Sequence, residues 1–144
     1  MLKGVNPLLP PELLGLLRAM GHGDEIAIVD ANYPAMSAGP QVVRCDGIGA
    51  PVMLDAVLSL MPLDDFPEHA AWRMQVVGAP QQEEPVFAEF RDIIARNEAR
   101  HFPLASLERS AFYERAAGCF ALIVSGERRL YGNIILKKGV LRPE

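Results

Sequence analysis

Apolar residues recur along this chain in two rhythms, and the changes between them mark out its elements. Leu13, Leu14, Leu16 and Leu17 share one face of a helix opened by Pro10-Pro11-Glu12. Proline is tolerated in a first turn, and an acid suits the positive end of the helix dipole. Gly21 is expected to end that helix in the left-handed conformation. Ile26 to Val29 is short, apolar and partly β-branched, which predicts a buried strand that runs out at Asp30, ahead of Pro34. Residues 31–40 read as a loop, and Gln41 to Cys45 as a strand stopped by Asp46-Gly47.

The helical spacing returns at positions 53, 54, 57, 58 and 60, and Pro62 closes it. Trp72 to Val77 reads as a strand and the polar run 80–85 as a surface loop. Positions 86, 87, 90, 93 and 94 then put one apolar stripe on a longer amphipathic helix over Val86 to Arg100. Leu104 to Leu107 predicts a short strand, and Arg109 to Gly118 a helix that Gly118 closes. Cys119 to Val124 is the most continuously apolar strand and so is expected at the centre of the sheet, and Gly132 to Lys138 is a final strand. Alternating helices and strands predict an α/β class with a mixed or mostly parallel sheet.

Composition narrows the function classes. The 144 residues are half hydrophobic and 22% charged, which predicts one globular domain spanning 1–144 with a sizeable core. A net charge of −4 argues against nucleic acid or an anionic membrane as a partner. Cys45 and Cys119 carry no motif and are expected as two reduced thiols, with a disulfide the lesser alternative. No segment reads as a secretory signal or a membrane span, so a cytoplasmic protein is expected.

His22 is the sharpest chemical candidate. Imidazole titrates nearest neutrality, and Gly21 and Gly23 on either side leave its ring open to a small ligand. A histidine that simply caps the preceding helix fits the same spacing. Asp30 could accept hydrogen bonds from a hydroxyl-bearing ligand or cap the following turn. Arg109 sits at a helix start, unfavourable for a cation, which suits a specific partner or an ion pair with Glu108 or Glu114. Tyr131-Gly132-Asn133 offers a phenol, bare backbone and an amide, suited to a polyhydroxylated ligand or to an ordinary turn. His and Cys spacings match no metal site, and the glycines form no phosphate loop. His22 and Asp30 flank a strand of about four residues, so roughly 13 Å separates them. They share a pocket only if the loop folds back or a second subunit closes the gap.

The segments Met20-Gly21-His22-Gly23-Asp24-Glu25-Ile26, Asp30-Ala31-Asn32-Tyr33-Pro34, Gly39-Pro40-Gln41-Val42 and Arg44 resemble the opening of the RbsD/FucU family of sugar mutarotases. Ala111 to Ala116 and Ser125 to Gly139, with Tyr131-Gly132-Asn133 and Lys137-Lys138, are similar to its L-fucose mutarotase branch. The resemblance runs from Met1 to Gly139 and is weakest between about Trp72 and Pro103. It implies a three-layer RbsD-like fold, with a mixed, mostly parallel sheet flanked by helices, and cofactor-free interconversion of sugar anomers. It implies that His22 is catalytic, that Asp30, Arg109, Tyr113, Tyr131, Gly132 and Asn133 bind the sugar, and, more loosely, that Asp64 takes part. Tyr33 stands where the family usually has phenylalanine. The resemblance further implies a free monosaccharide as ligand and self-association, as a homodecamer. A ribose pyranase is the rival within the class; a non-catalytic sugar-binding module and an oligomeric scaffold are rivals outside it.

Overall fold

The computed structural model describes residues 1–144. It contains helices α1 (Pro11–Ala19), α2 (Ala50–Leu58), α3 (Pro85–Asn97) and α4 (Arg109–Ala117). The strands are β1 (Glu25–Val29), β2 (Gln41–Cys45), β3 (Ala71–Met74), β4 (Ala105–Leu107), β5 (Ala121–Ser125) and β6 (Ile134–Lys137). Each was expected from the sequence, most of them from apolar spacing, with ends displaced by a few residues. A 3-10 turn over Ala35–Ser37 lies within the loop expected at 31–40.

The strands form one sheet in the order β2-β5-β1-β6-β3-β4. β1, β2 and β5 run parallel, as do β3 and β4, while β6 is antiparallel to both β1 and β3. The sheet is therefore mixed and mostly parallel. β5 is fully buried but lies next to the edge strand β2, so the centre belongs to β1 and β6. Hydrophobicity reports burial on both faces, which an off-centre interior strand shares with a central one.

Side chains of successive strand residues go to opposite faces, and the two faces make two cores. Ile26, Ile28, Ile123 and Leu136 pack with α1, α2 and α3; Ala27, Val29, Leu122 and Ile135 pack with Phe112 and Ala116 of α4. The result is three layers. α4 is the least amphipathic helix and relies on ionic ties: Arg115 donates two hydrogen bonds to Glu25 at 2.7 Å, stacks 3.6 Å over the Trp72 ring, and shares Glu25 with Lys137. Those ties hold α4, and with it Arg109 and Tyr113, over the sheet.

Helix closure departs from expectation. Gly21 is not the left-handed residue; Gly23 is, at φ 88°. α1 instead ends on Met20 in an extended conformation, with its last carbonyls taken by Lys138. Gly118 does end α4, but at φ −93°. Cys45 and Cys119 are free and buried in different cores. No helix is long and apolar enough to cross a membrane.

Candidate functional site

The carboxyl ends of β1 and β3 and the amino end of the antiparallel β6 between them meet at one end of the sheet, where the connections diverge and leave a crevice. A recess of 270 Å³ opens there, lined by Asp30, Asn32, Tyr33, Met74, Arg109, Tyr113, Leu130, Tyr131 and Asn133. That volume lies just below the ~300–1,000 Å³ typical of small-molecule sites. Asp30, Arg109, Tyr113, Tyr131 and Asn133 were each selected from sequence, and the fold brings them together from three segments: the end of β1, α4 and the entry to β6.

Asp30 and Asn133 lock the floor. Asn133 Nδ2 donates to Asp30 Oδ2 (3.0 Å), and Asn133 Oδ1 accepts from the Asp30 backbone amide (2.7 Å). Asp30 Oδ1 also accepts from the Asn32 amide at 2.9 Å. Asp30 thus caps its turn as well as facing the recess; the two readings of this residue coexist. Burial pushes its carboxyl above the usual range, against the hydrogen bonds from Asn32 and Asn133 that lower it.

The wall is aromatic. Tyr113 packs 5.1 Å from the Tyr33 ring, and Arg109 lies 4.9 Å over Tyr113 and donates to its hydroxyl at 3.4 Å. Arg109 pairs with neither Glu108 nor Glu114; its partner is the aromatic face, which leaves the remaining guanidinium donors open. Tyr33 has a buried hydroxyl without a hydrogen-bond partner.

Tyr131 adopts φ 63°, the one non-glycine residue in the left-handed region. Such a conformation costs on the order of 1–2 kcal/mol for an ordinary side chain. Its hydroxyl accepts a hydrogen bond from the Val77 amide at 3.1 Å, which ties the β6 entry to the segment after β3. Gly132 follows because a Cβ there would stand 2.5 Å from Glu127 Cγ. Its absence of side chain serves packing against Glu127.

His22 is elsewhere. It precedes β1, whereas Asp30 follows it, and five strand residues at about 3.3 Å each separate the two ends by about 16 Å. The loop does not fold back into the recess. Its ring does not cap α1; Nε2 is 3.0 Å from Asp64 Oδ1, and Phe66 packs 5.0 Å away. The imidazole is 43% exposed and the Asp64 carboxylate 5%. Asp64 Oδ1 also accepts from the Phe66 amide. A buried carboxylate on one ring nitrogen fixes the orientation of the imidazole and leaves Nδ1 free. Sequence reasoning held Asp64 loosely and missed Phe66, because a partner 42 residues away leaves no local spacing. The one signal for Asp64 was the family resemblance; the segment from Pro62 to Pro67 read only as a bend.

No group of three or more His, Cys, Asp or Glu side chains is arranged to hold a metal ion. The chain carries two separate polar clusters at opposite ends of β1: the His22–Asp64 pair and a polar, aromatic recess.

Known proteins share this architecture. The human protein described as fucose mutarotase is 48% identical over 146 residues, covering 97% of this chain and 94% of that one. The crystal structure of a fucose mutarotase from Streptococcus pneumoniae in complex with L-fucose superposes with a TM-score of 0.90 at 40% identity, over 98% of this chain and all of that one. Bacillus subtilis RbsD, solved with D-ribose, shares the fold at a TM-score of 0.75 and 21% identity, over 99% of this chain and all of that one. A family model matches residues 3–141, and the chain belongs to the RbsD / FucU transport protein family.

Proposed function

We propose that the protein is an isomerase that interconverts the α and β anomers of L-fucose by opening and reclosing the pyranose ring, without a cofactor. The observation that carries this reading is the recess in which Asp30, Arg109, Tyr113, Tyr131 and Asn133 converge. A buried carboxylate locked by an amide, an open guanidinium and phenol rings are the groups that hold a polyhydroxylated ring by hydrogen bonds and by contact with its apolar face. The 48% and 40% identities to fucose mutarotases, against 21% to the ribose-bound protein, favour a deoxyhexose over a pentose.

Mutarotation needs a proton removed from the anomeric hydroxyl and one delivered to the ring oxygen. The ring opens to the aldehyde, the carbonyl carbon rotates, and closure on the other face yields the second anomer. His22 serves as proton shuttle. With Nε2–H donated to Asp64, Nδ1 is the free acceptor, and the Asp64 charge stabilises the imidazolium that forms in transit. Asp30, Arg109 and Asn133 orient the non-reacting hydroxyls. Tyr113 and Tyr131 line the sugar, while Gly132, expected among the sugar-binding residues, does not line the recess and serves the packing against Glu127.

The two half-sites lie too far apart to act on one sugar within a chain, so His22 and Asp64 of one copy complete the recess of the next. Exposed apolar side chains flank both halves: Phe66 beside His22, and Val77 and Leu130 beside Tyr131. A closed ring of identical subunits satisfies every copy at once, and a homodecamer is the assembly we assign. The free buried thiols fit a cytoplasmic location.

Saturation-transfer NMR on L-fucose tests the reading. His22→Ala is expected to slow exchange by about 10²–10⁴-fold, the usual worth of a positioned acid–base group, while sugar affinity changes little. Exchange at the wild-type rate would remove His22 from the mechanism. Faster wild-type exchange of D-ribose than of L-fucose would favour the pyranase, and binding without exchange a non-catalytic module.

A further inference from the structure

The loop that carries His22 does not position itself. It joins α1 to β1, and the last carbonyls of a helix have no intrahelical donors. A left-handed glycine commonly satisfies them, but Met20 leaves α1 extended, at φ −59° and ψ 135°. Lys138, more than a hundred residues later, does so instead. Its ammonium donates to the carbonyl of Leu17 at 2.7 Å and to that of Met20. A cation there also meets the negative end of the helix dipole.

The backbone of Lys138 holds the far side of the same loop. Its carbonyl accepts from the Gly23 amide at 2.8 Å, and its amide donates to the Asp24 carbonyl at 2.9 Å. Met20 and Gly23 bracket His22, and both are bound by this one residue. The strand end grips Asp64 as well. Leu63 bridges Lys138 antiparallel, the Asp64 amide donates to the Lys137 carbonyl at 3.0 Å, and the Gly139 amide donates to the Pro62 carbonyl at 2.8 Å. A Cβ at Gly139 would stand 2.4 Å from the Leu63 oxygen and 2.8 Å from Asp64 Cα, so glycine is needed for that approach. His22 and Asp64 reach each other because both segments are pinned to residues 137–139.

We propose that Lys138 is a positioning residue for proton transfer: its ammonium fixes the α1–β1 loop so that the His22 ring meets the Asp64 carboxylate. The inference rests on the role given to His22 above. Lys138 touches neither the sugar recess nor the imidazole. Burial and the nearby Arg18 lower the ammonium's pKa while Asp24 raises it, and its direct partners are carbonyls rather than a carboxylate.

Lys138→Met keeps most of the apolar stem and removes the donors; Lys138→Arg keeps a cation with several donors. In L-fucose exchange, Lys138→Met is expected to lose about 10- to 100-fold in kcat, the scale of a small misplacement of a reacting group. KM should stay within about threefold and Lys138→Arg should recover most of kcat, since the recess is untouched and two donors return. Ring 15N spectra of His22, recorded without sugar, supply a readout independent of activity. The Nε2 resonance of Lys138→Met should move toward that of a freely solvated imidazole. Wild-type kcat with unmoved His22 resonances would overturn the proposal, as would equal losses in the Met and Arg variants. If Lys138→Met does not fold, Lys138→Gln, whose neutral amide is shorter and uncharged, takes its place. If the wild-type protein accelerates no anomer exchange, the functional reading fails, and the ring spectra alone decide whether Lys138 sets the His22–Asp64 contact.

Discussion

Asn133→Ala tests how the floor of the recess is held. The substitution strips an amide that makes two buried hydrogen bonds, one to the Asp30 carboxylate and one from the Asp30 backbone amide. A buried backbone donor left unsatisfied costs about 1–3 kcal/mol, and a hydrogen bond to a charged group is worth about 1.5–3 kcal/mol. The recess opens beside Asn133, so water entering the vacated space offsets part of that sum. A net loss of about 3 kcal/mol follows, a large share of the ~5–15 kcal/mol that typically separates folded from unfolded.

The pH dependence sharpens the test. Burial already raises the Asp30 carboxyl above its unfolded value, and the Asn133 amide is one of the groups that lower it. A carboxyl with a raised folded pKa binds its proton more tightly when folded. It therefore subtracts stability as pH climbs from the unfolded value of 3.8 through the folded one. Removing Asn133 raises the folded value further, so the variant's deficit should be larger at pH 7 than at pH 4. Urea unfolding of both proteins at one protomer concentration, at each pH, reads both quantities. A deficit below about 1 kcal/mol, or one that does not change between the two pH values, would refute the reasoning.

Other expectations follow from the same geometry. Asp64→Asn keeps an acceptor for His22 Nε2 and the Phe66 amide but loses the charge; kcat for anomer exchange should fall about tenfold or more with KM little changed, and unchanged kcat would exclude Asp64 from the shuttle. Burial pushes the Cys119 thiol up to about 12 and raises that of Cys45; neither should react with a disulfide reagent at pH 8 until the protein unfolds, whereas labelling at the rate of a free thiol would contradict their burial. Light scattering at micromolar concentration should report a closed oligomer the size of a decamer, and a clean monomer would leave the two half-sites without a way to meet.

Hydrophobic spacing located most of the elements, since the spacing that buries one face is a local property written in each segment; the weakly amphipathic α4 was placed instead by Phe112, Tyr113 and its closing Gly118. Ile26 to Val29 reads as a buried strand, and positions 86 to 94 as an amphipathic helix. The types of group in the recess were legible too: Arg109 was misplaced at a helix start, while Asp30 and the Tyr131-Gly132-Asn133 run fitted ordinary turns as well as ligand binding, and the family resemblance singled them out. What the sequence left open is what pairs with what. The reversed direction of β6, the lock between Asp30 and Asn133, the buried Asp64 behind His22 and the closure of α1 by Lys138 all join residues far apart in the chain. A partner of that kind is chosen by the three-dimensional course of the backbone, which the local rhythm of side chains does not encode. Gly21 shows the consequence: a glycine in the right place suggested a local helix stop, and a distant ammonium does the work instead.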